Sequence, residues 1–105
     1  MIQKKYIIFG ANGYIGRHLV NTLILDGHTV KAYDIQEFPI VEEALYLKNN
    51  LLDCDSLKLI DWDVDYVLFF SGITGTLSGF GDYQNFVQIN EISLLNMLNS
   101  IKESS

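Results

Sequence analysis

Three glycines, Gly10, Gly13 and Gly16, follow the apolar run Tyr6-Ile7-Ile8-Phe9 and open a segment of helical periodicity. A glycine turn between a strand and a helix can hold a phosphate, because the first amides of the helix lack partners within it and its dipole is positive at that end. Gly10 would permit the tight turn, Gly13 would let the backbone approach a pyrophosphate, and Gly16 would let helix and strand pack closely. Binding of this kind needs no lysine. Asp34 stands at the end of the next apolar segment, where a carboxylate accepts hydrogen bonds from the ribose hydroxyls of a dinucleotide and repels a 2′-phosphate. The expected cofactor is therefore NAD rather than NADP. Arg17, beside the third glycine, is the one residue here that could reach such a phosphate, and it also reads as a solvated helix residue.

Other chemistry-bearing residues give weaker signals. Asp53 could receive an adenine amino group or cap the short helix that follows it. Ser71, Gly72 and Thr74 follow an apolar run and would lie at the carboxyl end of a strand, where open sheets bind ligands; alternatively the glycines only loosen a loop. His18 and His28 have no cysteine or second histidine at ligand spacing, so no metal site is expected and both read as surface residues. Asp61, Asp63 and Asp65 alternate with Trp62 and Val64 but lack the glycine and distal glutamate of a calcium loop.

The elements that must position these residues are legible from pattern. Tyr6 to Phe9 reads as a strand buried on both faces. Ile15, Leu19, Val20, Leu23 and Ile24 repeat at helical spacing, and Gly27 is a left-handed stop. Thr29 to Tyr33 reads as a second strand, Ala44 to Leu47 as a third, Ser56 to Ile60 as a short helix capped by Asp55 or Ser56, and Tyr66 to Phe70 as a buried fourth strand. Residues 71–82 read as a loop and Tyr83 to Lys102 as a helix with more apolar residues than one stripe holds. The pattern predicts one α/β domain over residues 1–105: a partial, Rossmann-like, doubly wound parallel sheet of about four strands in the order 3-2-1-4.

Bulk properties narrow the partners. The chain has 105 residues, 49% of them hydrophobic, with a net charge of −6. That suits one ordered domain and opposes binding to nucleic acid or to anionic membrane surfaces. Cys54 is the only cysteine, so no internal disulfide forms and a cytoplasmic setting fits. No segment has the apolar length of a targeting core or a membrane span.

Gly10-Ala11-Asn12-Gly13-Tyr14-Ile15-Gly16, followed by Arg17-His18-Leu19-Val20, resembles the extended short-chain dehydrogenase/reductase family, the NAD-dependent epimerases and dehydratases that act largely on nucleotide sugars. Asp34, the segment Leu51-Leu52-Asp53, and Val87-Gln88-Ile89-Asn90 running into Leu94-Leu95-Asn96-Met97-Leu98 are similar too. The resemblance implies that Gly10, Asn12, Gly13 and Gly16 line the pyrophosphate, and Tyr14 and Ile15 count among the cofactor-binding residues. It places Asp34 at the ribose, Asp53 at the adenine, and Ser71 and Gly72 towards the nicotinamide, with Ile35 and Leu52 also among the cofactor-binding residues. Asn90 matches a helix asparagine used structurally near the active site.

The same family relies on a tyrosine with a lysine four residues later, and this sequence has no such pair. No catalytic residue is therefore assigned, and the chain alone is not expected to turn over. The expectation is the amino-terminal part of a longer protein, whose remainder would carry the acid/base pair and a nucleotide-sugar site. A naked fourth strand and the second apolar face of the last helix call for a homo-oligomer or a carboxyl-terminal part. A non-catalytic module that senses NAD or pairs with a partner subunit is the alternative; the three glycines weaken a flavodoxin-like or receiver reading.

Overall fold

The computed structural model describes residues 2–70 and 83–104, with side chains in the second stretch described from residue 91 onward. Its elements are β1 (Lys5–Phe9), α1 (Tyr14–Leu25), β2 (Thr29–Asp34), β3 (Leu45–Lys48), α2 (Cys54–Leu57), β4 (Tyr66–Phe69) and α3 (Tyr83–Ser104). The four strands form one sheet in the order β3-β2-β1-β4, as the sequence pattern predicts. All three pairings are parallel, with Tyr6 opposite Val30 and Tyr66, and Asp34 opposite Lys48. Every strand therefore ends at the same edge of the sheet.

Period-two alternation along β1 and β2 divides the core between the two faces. Ile8, Val30 and Ala32 pack with Val20 and Leu23 of α1 on one face. Ile7, Phe9 and Tyr33 pack on the other with Leu51, Leu57, Ile60 and Met97. The result is a helix, sheet, helix sandwich whose central strand, β1, is apolar on both sides.

α1 ends as its sequence predicts. Gly27 has φ of +88°, its N–H donates to the Ile24 carbonyl, and the His28 N–H donates to the Leu23 carbonyl, both at 3.0 Å. This paired closure satisfies carbonyls that the helix leaves open. His28 differs from the surface residue expected: it is half-buried, its Nδ1 accepts the Lys4 N–H at 3.0 Å, and its ring meets the edge of Tyr6. The three acidic residues before β4 build a turn. Asp61 Oδ1 accepts the Asp63 N–H and Asp65 Oδ2 accepts the Lys5 N–H, and among the described residues no cluster could hold a metal ion.

Two expectations shift. The short helix begins at Cys54, two residues before the predicted start, because Asp53 takes the cap: its Oδ1 accepts the Asp55 N–H at 3.1 Å. The apolar run Tyr66 to Phe70 is half-exposed rather than buried, with Tyr66 49% and Phe70 38% exposed, because β4 pairs only with β1 among the described strands. α3 buries Ser93 and Met97, the latter in the cluster with Ile7 and Phe9, and leaves Leu94, Leu95 and Leu98 exposed. Among the described residues, no helix is long and apolar enough to cross a membrane.

Tyr33 carries a testable consequence of this packing. Burial, with a smaller contribution from the Asp61 carboxylate, raises its hydroxyl pKa above the ordinary 10.0. The folded chain therefore keeps a proton that the unfolded chain releases above pH 10.0, so this stability is complete below that pH and lost as the pH rises through the folded value. We expect Tyr33→Phe to flatten the alkaline decline in urea-unfolding free energy, and an unchanged decline would contradict the assignment.

Candidate functional site

The glycine turn lies at the carboxyl end of β1, stitched to the end of β2. The N–H groups of Gly10 and Ala11 both donate to the Tyr33 carbonyl, at 3.0 and 3.2 Å. Gly10 has φ of +81°, a conformation that side-chain-bearing residues rarely adopt. The Gly13 N–H closes the turn on the Gly10 carbonyl at 3.1 Å.

Gly13 is then the N-cap of α1, in extended conformation and with no side chain to occupy the helix end. The first amides of α1 thus meet no capping side chain, which is the condition for binding an anion there. Gly16 is buried one turn further on. A Cβ at this position would fall within the van der Waals shell of the Gly10 carbonyl oxygen, with Gly10 C at 2.9 Å and Ala11 Cα at 3.1 Å. Helix and turn approach this closely only because the side chain is absent. Tyr14 and Ile15 are exposed, at 73% and 62%, and the Arg17 guanidinium lies 5.7 Å from the centre of the Tyr14 ring.

Asp34 ends β2 directly opposite this turn. Its Oδ2 accepts the Asn12 N–H at 2.9 Å and its Oδ1 accepts the Ile35 N–H at 2.7 Å. The carboxylate is held by two backbone donors, and each oxygen retains capacity to accept a hydroxyl group. Ile35 beside it is exposed.

Asn12, Asp34 and Ile35 are thus brought together by hydrogen bonds, with Gly10, Gly13 and Gly16 in one turn beside them. Leu52 is also exposed, and Asp53 spends one carboxylate oxygen on α2. Ser71, Gly72 and Thr74 lie outside the described residues. Asn90 belongs to α3, and its side chain is outside the described set.

The sequence reading missed the polar network around Asn12. Its Nδ2 donates to the Phe38 carbonyl at 3.0 Å and to Gln36 Oε1 at 3.2 Å, with the Tyr46 hydroxyl oxygen at 3.4 Å. Its Oδ1 accepts the Ile40 N–H at 2.8 Å. The Tyr46 hydroxyl in turn donates to the Gln36 carbonyl at 2.6 Å. Burial first, and the Asp34 carboxylate second, raise the pKa of that hydroxyl, against a smaller opposing effect of the Asn12 hydrogen bond.

Asn49 was missed as well. It sits just beyond β3, its N–H donates to the Asp34 carbonyl at 2.7 Å, and its Nδ2 donates to the Ser56 hydroxyl at 3.1 Å. The Asn49-Asn50 pair after an apolar strand was the available signal for a polar strand end at this edge.

The family model of the NAD-dependent epimerases and dehydratases matches residues 6–105. The chain belongs to the NAD-dependent epimerase/dehydratase family. No curated protein sequence matches it. Among solved structures of similar fold, a UDP-glucose 4-epimerase superposes with a TM-score of 0.82 at 23% identity, covering 94% of this chain and 32% of the other. The Thermus thermophilus UDP-glucose 4-epimerase, in complex with NAD, has a TM-score of 0.80 at 18% identity over 94% of this chain and 34% of its own. The Bifidobacterium longum UDP-glucose 4-epimerase, with NAD+ and UDP, has a TM-score of 0.82 at 16% identity over 94% and 33%. These likenesses establish a Rossmann-like fold, and the family member described here spans about one third of each neighbour.

Proposed function

We propose that this chain is the NAD-binding portion of a nucleotide-sugar epimerase, dehydratase or reductase. The observation that carries the reading is the uncapped amino terminus of α1, which meets the glycine turn at the sheet edge where Asp34 is held by two backbone amides. The amides and dipole of α1 would take the pyrophosphate, and the Asp34 carboxylate would accept the ribose hydroxyls. Gly10, Gly13 and Gly16 give the backbone its approach. Ile35 and Leu52 offer exposed apolar surface for the adenosine end. Ser71 and Gly72 are assigned to the nicotinamide side by family resemblance.

When bound, the nicotinamide supplies a hydride acceptor or donor for a sugar carbon. This chain's own residues bind and orient the dinucleotide. With no tyrosine and lysine four residues apart, it offers no acid/base pair of the family type, and turnover requires more than these residues. The span of about one third of each solved neighbour supports reading it as the amino-terminal part of a longer protein. Either the remainder or a second copy would cover β4 and the exposed leucines of α3.

Calorimetry tests the binding reading. We expect NAD to bind and NADP to bind at least about tenfold more weakly, a difference of about 1.4 kcal/mol, because the 2′-phosphate would meet the Asp34 carboxylate. Asp34→Asn is expected to narrow that difference. A folded chain that releases no heat at millimolar NAD would overturn the proposal.

A further inference from the structure

The segment after β2 is held in an unusual way. Residues 35–44 have no strand or helix structure, and burial does not anchor their first half: Ile35, Phe38 and Ile40 are 60%, 78% and 53% exposed. Polar contacts hold it instead. The Asn12 amide uses two donors on the Gln36 side chain and the Phe38 carbonyl, and its oxygen takes the Ile40 N–H. From the other side, the Tyr46 hydroxyl holds the Gln36 carbonyl, and the Lys48 ammonium meets the Glu37 carboxylate at 3.0 Å. The last of these joins two exposed side chains and contributes little.

Asn12 is therefore committed on every polar group that faces this segment. Its side-chain donors and acceptor are spent on residues 36–40, and its backbone N–H is spent on Asp34. An asparagine amide offers two donor protons and one acceptor oxygen, so little capacity remains for a phosphate.

We infer that Asn12 is a positioning residue: it clasps residues 36–40 against the glycine turn and so forms the wall of the adenosine end in advance of the ligand. This rests on the proposed reading that Asp34 faces the cofactor ribose. A wall closed before binding lowers the ordering cost at binding, and the apparent dissociation constant rises in inverse proportion to the fraction of molecules in which it is closed. The role differs from a pyrophosphate contact in a measurable way, because a clasp acts through the loop and shares that loop with Tyr46.

The test has two arms on the full chain. In the first, hydrogen exchange is measured without ligand for wild type and Asn12→Ala. The expected result is faster exchange at Ile40 and its neighbours with unchanged protection in α1, which also shows that the fold is kept. Unchanged exchange at Ile40 would overturn the clasp.

In the second arm, NAD affinity is measured by calorimetry for Asn12→Ala, Tyr46→Phe and the double variant. Asn12→Ala is expected to weaken binding about tenfold. The double variant should lose much less than the product of the two single losses, since both release one loop. Fully multiplicative losses would assign Asn12 to the ligand itself and overturn the inference. If wild type binds no NAD, the cofactor reading falls and takes the affinity arm with it, while the exchange arm still decides whether Asn12 holds the loop.

Discussion

Replacing Gly16 with alanine is expected to cost about 3 kcal/mol or more, at the upper end of overpacking penalties, and to abolish the proposed dinucleotide binding in whatever fraction remains folded. The added methyl group would meet the Gly10 carbonyl carbon at 2.9 Å and Ala11 Cα at 3.1 Å, besides the carbonyl oxygen itself. All of these belong to backbone, so no side chain can swing aside. Relief requires α1 to move off the turn, and α1 carries Val20 and Leu23 into the core shared with Ile8, Val30 and Ala32. One face of the sheet would be disturbed together with the proposed anion site.

Gly13 provides the control. Among the described residues a Cβ there meets only the Gly10 oxygen, at 3.3 Å, and Gly13→Ala should unfold at a denaturant concentration much nearer that of wild type. A Gly16→Ala midpoint equal to wild type would contradict the close approach of helix and turn.

Phe9→Ala is expected to lose about 3–5 kcal/mol. Phe9 is 1% exposed in the central strand. Its ring stacks on Tyr33 with centroids 5.2 Å apart and lies 5.9 Å from Trp62. The truncation would leave a void between β1, β2 and the segment leading to β4, where none of the neighbours can collapse without losing its own contacts. Natural domains have total stabilities of about 5–15 kcal/mol, so most molecules of this variant could unfold at moderate urea. Equilibrium urea unfolding reads the loss directly, and a change below about 1 kcal/mol would place Phe9 outside the core.

Much of the architecture was legible because one rule governed each part. β1 lies between β2 and β4 and is covered on both faces, so Ile7, Ile8 and Phe9 form a continuous apolar run without alternation. The periodic residues of α1 and the stop at Gly27 follow from a single buried stripe and a left-handed end. The glycine turn and Asp34 were legible because a tight backbone approach admits few residue types.

The misses arise where a polar side chain had more than one possible partner. Asp53 had two possible partners, a helix end and a ligand, and its Oδ1 accepts the Asp55 N–H, which moves the start of α2 two residues earlier. Asn12 looked like part of the glycine motif because it lies within it. Its partners, residues 36–40, are brought to it only by the crossover from β1 through α1 to β2, and no local pattern in the sequence records that meeting. The half-exposure of Tyr66 and Phe70 was concealed for a different reason: an apolar run signals burial without saying whether another strand lies beyond it.

The strand order also sets a timetable for synthesis. Tyr6 pairs with Val30 and with Tyr66, so β1, made before both of its neighbours, is flanked on one side early and on the other only after roughly sixty further residues have been added. Until then Ile7, Ile8 and Phe9 present an open hydrogen-bonding edge on the nascent chain. Their protection in that interval depends on how fast α1 and β2 close over them, which makes the β1-α1-β2 unit the natural place to look for the earliest folding step.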